Sequence, residues 1–194
     1  AGPSQQRHAS RDMTTVSRPE PSVASDRYLI GLVGGVKTKV AIVSPARELY
    51  ISALFLGRRA SVEGRVHRWF ILSGQHGLVE PDQCVTPDRR CLAEASSRQR
   101  RAWASAVLMS LEAKLGDLRR YTFEIHAGAD YFAYGLRDGL RGAGALVEVP
   151  TEGLSQGKQL QYYAGGAASL EDGRLRLSAA AIPHATTRSP ATNC

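Results

Sequence analysis

The stretch Arg68–Val79, RWFILSGQHGLV, decides how the rest of the chain reads. Trp69-Phe70-Ile71-Leu72 is apolar without alternation, the pattern of a strand covered on both faces. The run then stops in Ser73-Gly74-Gln75-His76-Gly77. A buried strand that delivers polar groups at its end belongs to an open α/β sheet, where ligands bind outside the carboxyl ends of the strands.

Three other stretches repeat the pattern. Residues 27–35, RYLIGLVGG, run into two glycines. Residues 120–128, RYTFEIHAG, end in His126-Ala127-Gly128, and residues 145–150, ALVEVP, lead to Thr151-Glu152-Gly153. Helical segments separate them. One is expected from Pro45 to about Gly64, with Ser44 as its cap. A second spans 96–118 with Gly116 as C-cap. A short one follows His126, and a last one begins near Gly153. GQHGLVEPDQCVTPDRRCL, after the strand at 68–73, is expected as one long loop. The order is β-α-β-loop-α-β-α-β-α. It predicts an α/β fold: a single domain with a mainly parallel four- or five-stranded sheet and helices on both faces, Rossmann-like.

The length of 194 residues with 43% hydrophobic residues suits one domain plus tails. Residues 1–26, rich in Pro, Ser and Arg, are expected as a disordered arm, 27–165 as the domain and 166–194 as a flexible tail. No apolar run approaches the ~20 residues of a membrane helix, and no secretory pattern opens the chain. A cytoplasmic protein without a membrane partner is expected. Cys84, Cys91 and Cys194 fit no zinc spacing and read as reduced thiols, so neither a metal nor a cofactor is expected. The net charge is +7, and only four of the 25 basic residues are lysines (Lys37, Lys39, Lys114 and Lys158). Such a balance is compatible with a nucleotide or nucleic-acid partner and equally with a solvated basic surface. Oligomeric state is not set by the sequence.

Four strand ends carry the candidate chemistry. Gly34-Gly35 can bring backbone amides to a phosphate, with Lys37 and Lys39 adding charge. The spacing is not that of a Walker A loop, and an ordinary turn with exposed lysines has the same composition. Ser44 and Arg47 open a helix and suit an anion, with Tyr50 and Ser52 beside them. The alternative there is a capped helix with a surface arginine. His76, with Gly77 after it, can serve as acid or base. Ser73 and Asp88 are its candidate partners, although the nucleophile elbow of a serine hydrolase is absent. His126 and Gly128 end another strand, with His126 nearer the core, and Tyr131 can stack on a base. Gly34, Lys37, Ser73, His76 and Gly128 are expected around one cavity, because parallel strands point the same way.

Taken together, LVGGVKTK, SPARELYISALF, ILSGQHGLVEP, HAGADY and VEVPTEGLSQGKQLQYY resemble a family of small, largely uncharacterised bacterial proteins. The resemblance runs from Tyr28 to Tyr163. More distantly, the layout is similar to the deazaguanine-handling domain of archaeosine synthase, whose fold is uracil-DNA-glycosylase-like. Its opening is loosely similar to that of peroxide-stress proteins of the YaaA type. These resemblances imply a nucleobase- or nucleotide-containing ligand, with nucleic acid as a further partner. The function implied is N-glycosidic cleavage or exchange, or group transfer on a modified base; a non-catalytic protein that binds or senses a nucleotide or nucleic acid is the alternative. Lys37, Lys39, Arg47, Tyr50, Ser52, Ser73, His76, Gly77, Gly157 and Gln159 match the family pattern. Gly35 stands where relatives carry Cys, and Pro87-Asp88-Arg89 where they carry Pro-Tyr-Asp. Replacing Gly35 by Cys is expected to be tolerated unless φ there is positive.

Overall fold

A computed structural model describes residues 27–87 and 91–165. The expectations for the arm at 1–26, for the tail at 166–194 and for Asp88 fall outside the described residues. Five strands form the main sheet. They are β1 (Tyr28–Gly34), β3 (Arg68–Ser73), β4 (Gly77–Val79), β6 (Tyr121–His126) and β7 (Leu146–Glu148), in the order β4-β3-β1-β6-β7. β3, β1, β6 and β7 are mutually parallel, and only β4 runs antiparallel, against β3. The fold is therefore α/β, with a mixed and mostly parallel sheet. A separate two-stranded pairing joins β2 (Ser44–Pro45) to β5 (Cys84–Val85).

The period-2 alternation of the strands sorts the core into two layers. Ile30 and Leu32 of β1, Phe70 and Leu72 of β3, and Phe123 and Ile125 of β6 face one way. They pack against α3 (Ser97–Leu115), α4 (Ala129–Phe132) and α5 (Leu136–Gly142). Val33 and Ile71 face the other way, towards α1 (Ala46–Leu49) and α2 (Ala53–Val62). A final helix, α6, spans residues 156–165. It crosses α2 closely: a Cβ on Gly57 would come within 2.7 Å of Tyr163 Cβ.

Two elements differ from the sequence expectation. The helix from Pro45 to Gly64 is two helices, broken at Tyr50–Ser52. Tyr50 is extended there because its backbone bridges to Lys39, and Ile51 N donates to Thr38 O at 3.3 Å. Tertiary pairing overrides helix propensity at that point. Ser52, not Ser44, is the side-chain cap, accepting from Phe55 N at 3.2 Å, while Ser44 Oγ donates to Ile42 O. The second difference lies after β3. Gly77 adopts φ +69°, and the chain turns back there as β4, so the expected loop contains a hairpin. The C-cap of α3 agrees with expectation, since Gly116 ends the helix at φ +73°, and at the other end Ser96 forms a capping box with Gln99. The expectation of reduced thiols fails at Cys84, which is disulfide-bonded, while Cys91 is free.

No helix among the described residues is long and apolar enough to cross a membrane.

Candidate functional site

The parallel strand order reverses around β1. The connection from β1 goes to β3 on one side, and the chain later adds β6 on the other. Crevices at such points, outside the strand ends, are where open α/β sheets place ligands. A cavity of about 540 Å3 lies there. Its floor is built by close approach. A Cβ on Gly34 would lie 2.6 Å from Ala127 Cβ, so only glycine lets the ends of β1 and β6 meet. Gly35 N donates to Leu72 O at 2.9 Å, and the hydroxyl of Tyr131, from α4, donates to Gly35 O at 3.1 Å.

The next segment, Val36–Lys39, forms one wall. Its backbone is pinned to the α1–α2 junction, so Lys39 Nζ stands 5.6 Å from the centroid of the Tyr50 ring. Lys37 Nζ pairs with Glu94 at 3.1 Å, and the Glu94 carboxylate raises the lysine pKa by hydrogen bonding and by charge. Tyr131 and Asp130 also line the cavity, with Asp130 paired to Arg100 at 2.8 Å. Cys91 and Gln156 complete the rim. Among the described residues no group of three His, Cys, Asp or Glu side chains is placed to hold a metal.

Of the residues expected from sequence, Gly35, Lys37, Lys39, Tyr50, Ser52 and Tyr131 line this cavity. Tyr50 is 2% exposed, so it offers an edge of wall rather than an open ring face. Gly34 lies beneath, its carbonyl accepting from Arg58 at 3.3 Å. The others lie elsewhere. Ser73 is buried, and its Oγ accepts from the amides of Gln75 and His76, which shapes the hairpin turn. His76 is exposed, with Nε2 3.2 Å from Thr86 O. Arg47 pairs with Asp82 at 3.0 Å, and Ser44 and Gly77 sit in the β2–β5 and β3–β4 pairings. Gly128 precedes α4 without lining the cavity. Gln159 accepts from Arg58 at 2.9 Å. Of the five residues expected around one cavity, Lys37 lines it and Gly34 lies beneath its floor, while Ser73, His76 and Gly128 are not in its lining.

His126 is 1% exposed and belongs to a polar cluster behind the cavity floor, between β6, α2 and α6. Its Nδ1 lies 3.0 Å from Tyr163 Oη and its Nε2 3.2 Å from Glu124 Oε2. Arg65 clamps Glu124 with both terminal nitrogens. Burial alone would raise the Glu124 pKa, but the hydrogen bonds from His126 and Arg65 outweigh it and hold the value at about 2. Arg58, 3% exposed, meets Gly34 O and Gln159, and burial lowers its pKa. Burial also raises the Tyr163 pKa.

Beside His126 and Gln159, already candidates, the cluster's Arg58 and Glu124 carry a signal in the sequence. Arg58 falls on the buried stripe Leu54-Phe55-Arg58-Val62 of α2. Glu124 and His126 alternate with Phe123 and Ile125, which puts two polar groups on one face of a strand. Glu94 and Cys91 had no such signal, because long-range packing brings them to the cavity.

Residues 30–165 match the profile of a family of unknown function, DUF6884. The chain belongs to DUF6884. The match spans β1 to α6, so the cavity and the polar cluster both lie within the DUF6884 region. No curated protein and no solved structure matches the chain. The Gly35 position corrects one expectation for this DUF6884 member. Its φ is not positive, yet a Cβ there would lie 2.8 Å from Tyr50 Cε1 and Cζ. A cysteine at this position therefore requires the buried Tyr50 ring to move.

Proposed function

We propose that the chain binds a nucleotide in the cavity at the strand ends and processes it at the base-bearing end, by N-glycosidic cleavage, exchange or group transfer. The observation that carries this reading is the grouping of Lys37, Lys39, Tyr131 and Asp130 around one cavity at the point where strand order reverses. The lysines suit a phosphate and the Tyr131 ring suits a base. Stacking on an aromatic ring contributes about 1–3 kcal/mol per base in single-strand binders, enough to fix orientation. Asp130 and Glu94 supply carboxylates for an oxocarbenium-like transition state, the recurring need of glycosidic cleavage. The motif resemblance to the deazaguanine-handling domain of archaeosine synthase, with its uracil-DNA-glycosylase-like fold, supports a base as the recognised group.

A second reading, a nucleotide sensor without turnover, is favoured by the position of His76. It lies outside the cavity lining, and Gly35 supplies no side chain where the family pattern carries a cysteine. Titration with the common 5′-mononucleotides, followed by chromatography for released base, tests both. Saturable binding that Lys37→Ala and Lys39→Ala weaken about tenfold or more supports the pocket. Released base that Asp130→Asn abolishes supports the enzyme, binding without release supports the sensor, and no binding removes both.

A further inference from the structure

A second cavity, of about 740 Å3, lies beside the first. The two adjoin, since Gly74, Cys91 and Glu94 line both. The ridge between them is held firmly. Leu92–Glu94 forms a single 3-10 turn, and Arg100 of α3 fixes it from behind. Its Nε donates to Leu92 O at 3.0 Å, one terminal nitrogen donates to Ala93 O at 2.6 Å, and the other pairs with Asp130 at 2.8 Å.

Aromatic rings continue across the divide. Tyr131 lines the first cavity and Trp103 the second, with ring centroids 5.5 Å apart in an edge-to-face arrangement. Trp103 is anchored by its Nε1, which donates to Ser73 O at 2.8 Å. Leu92, Ala95 and Ala102 give the second cavity an apolar wall, and Gln75 adds an amide.

From this geometry we infer that the ligand is two nucleoside units joined through phosphate, one base beside Tyr131 and the other beside Trp103. The inference rests on the nucleotide reading above and extends it from a mononucleotide to a larger substrate class. Small-molecule pockets run to roughly 300–1,000 Å3, so the first cavity alone suffices for one nucleotide. The adjoining cavity is room for a second unit. Lys37, paired with Glu94 on the ridge, places a cation where the linking phosphate crosses and offsets the carboxylate beside it. A free dinucleotide and an unpaired stretch of a nucleic-acid strand share this chemistry.

The test is calorimetric titration of the full chain with 5′-mononucleotides, 5′-phosphorylated dinucleotides of the same bases, and single-stranded octanucleotides. The dinucleotide is expected to bind about tenfold or more tightly than the mononucleotide, the scale of one further stacked base. Ala102→Trp, on the exposed surface of α3, fills the second cavity. It should remove the dinucleotide advantage and leave mononucleotide binding unchanged. Gln75→Ala, on an exposed turn, provides a second and milder probe of the same cavity. An octanucleotide that binds more tightly than the dinucleotide assigns the site to a strand, and equal binding assigns it to the free dinucleotide. Equal affinity for mono- and dinucleotides overturns the inference while keeping the nucleotide pocket. So does a dinucleotide advantage that survives both substitutions. Failure of every probe to bind overturns the nucleotide reading and this inference with it.

Discussion

Nδ1 of His126, the last residue of β6, lies 3.0 Å from the hydroxyl of Tyr163 in α6. Its Nε2 lies 3.2 Å from Glu124, so both ring nitrogens are engaged inside the domain. Removing the ring leaves a tyrosine hydroxyl and a carboxylate short of a partner, which costs about 1–3 kcal/mol for a buried group. His76 is exposed and meets a backbone oxygen. His126→Ala is therefore expected to destabilise the chain by that amount or more, and His76→Ala by less than about 1 kcal/mol. Chemical denaturation of both variants checks the order. Equal losses would mean that the exposed His76 ring carries as much stability as the buried His126 ring.

Glu124 links the same cluster to pH. Its carboxyl is held at about 2 against an ordinary value of 4.5, because hydrogen bonds to His126 and Arg65 outweigh the cost of burial. A folded-state pKa below the unfolded one contributes stability that is complete above the unfolded value. That contribution fades as pH falls from about 4.5 towards about 2. Glu124→Gln should lower stability near neutral pH and flatten the acid limb of the profile. Urea midpoints measured across this window decide it: parallel acid limbs for parent and variant would assign the acid loss to other carboxylates.

The layers and strand ends were legible because buried parallel strands announce themselves as unbroken apolar runs. Trp69-Phe70-Ile71-Leu72 is such a run, and the polar groups that follow it mark the open end of the strand. The break at Tyr50 was not legible, since SPARELYISALF has helical periodicity throughout and only the bridge to Lys39 interrupts it. The β4 return was hidden for a related reason. Three residues are too short for an alternation signal, and the turn depends on the positive φ of Gly77. Within the candidate site, Lys37, Lys39 and Tyr131 follow strand ends closely and could be read in order. Glu94, Cys91 and Gln156 come from distant segments, and local pattern carries no information about which distant segments meet.

Gly35→Cys tests the crowding at the cavity floor. The added Cβ meets the Tyr50 ring at 2.8 Å, and that ring is itself packed on Phe55 at 4.8 Å between centroids. Overpacking of this kind costs about 1–3 kcal/mol. Gly35→Ala should cost nearly as much, because the clash is with Cβ rather than with sulfur. Thermal melts of the pair check this. A cysteine variant as stable as the parent would show that Tyr50 yields easily.

Arg58 holds the last helix to the cavity floor, and its removal should be felt locally. The guanidinium is buried and pairs with no carboxylate among the described residues; it reaches Gly34 O at 3.3 Å and Gln159 Oε1 at 2.9 Å. Two effects oppose each other in Arg58→Met. The lost hydrogen bonds leave buried acceptors unpaired, at about 1–3 kcal/mol. Against that, a cation no longer has to be taken out of water, a penalty of several kcal/mol per ion. Methionine fills much of the same volume, so global stability should change little in either direction. The tether between α2 and α6, however, is lost. Helix α6 carries Gln156 to the cavity rim, and residues 156–165 would open more often than the sheet. Hydrogen exchange should therefore speed up by about tenfold or more across residues 156–165 while β1 and β6 keep their protection. A uniform rise across the whole domain would show that Arg58 serves global stability instead, and an unchanged α6 would show that Tyr163 alone holds the helix in place.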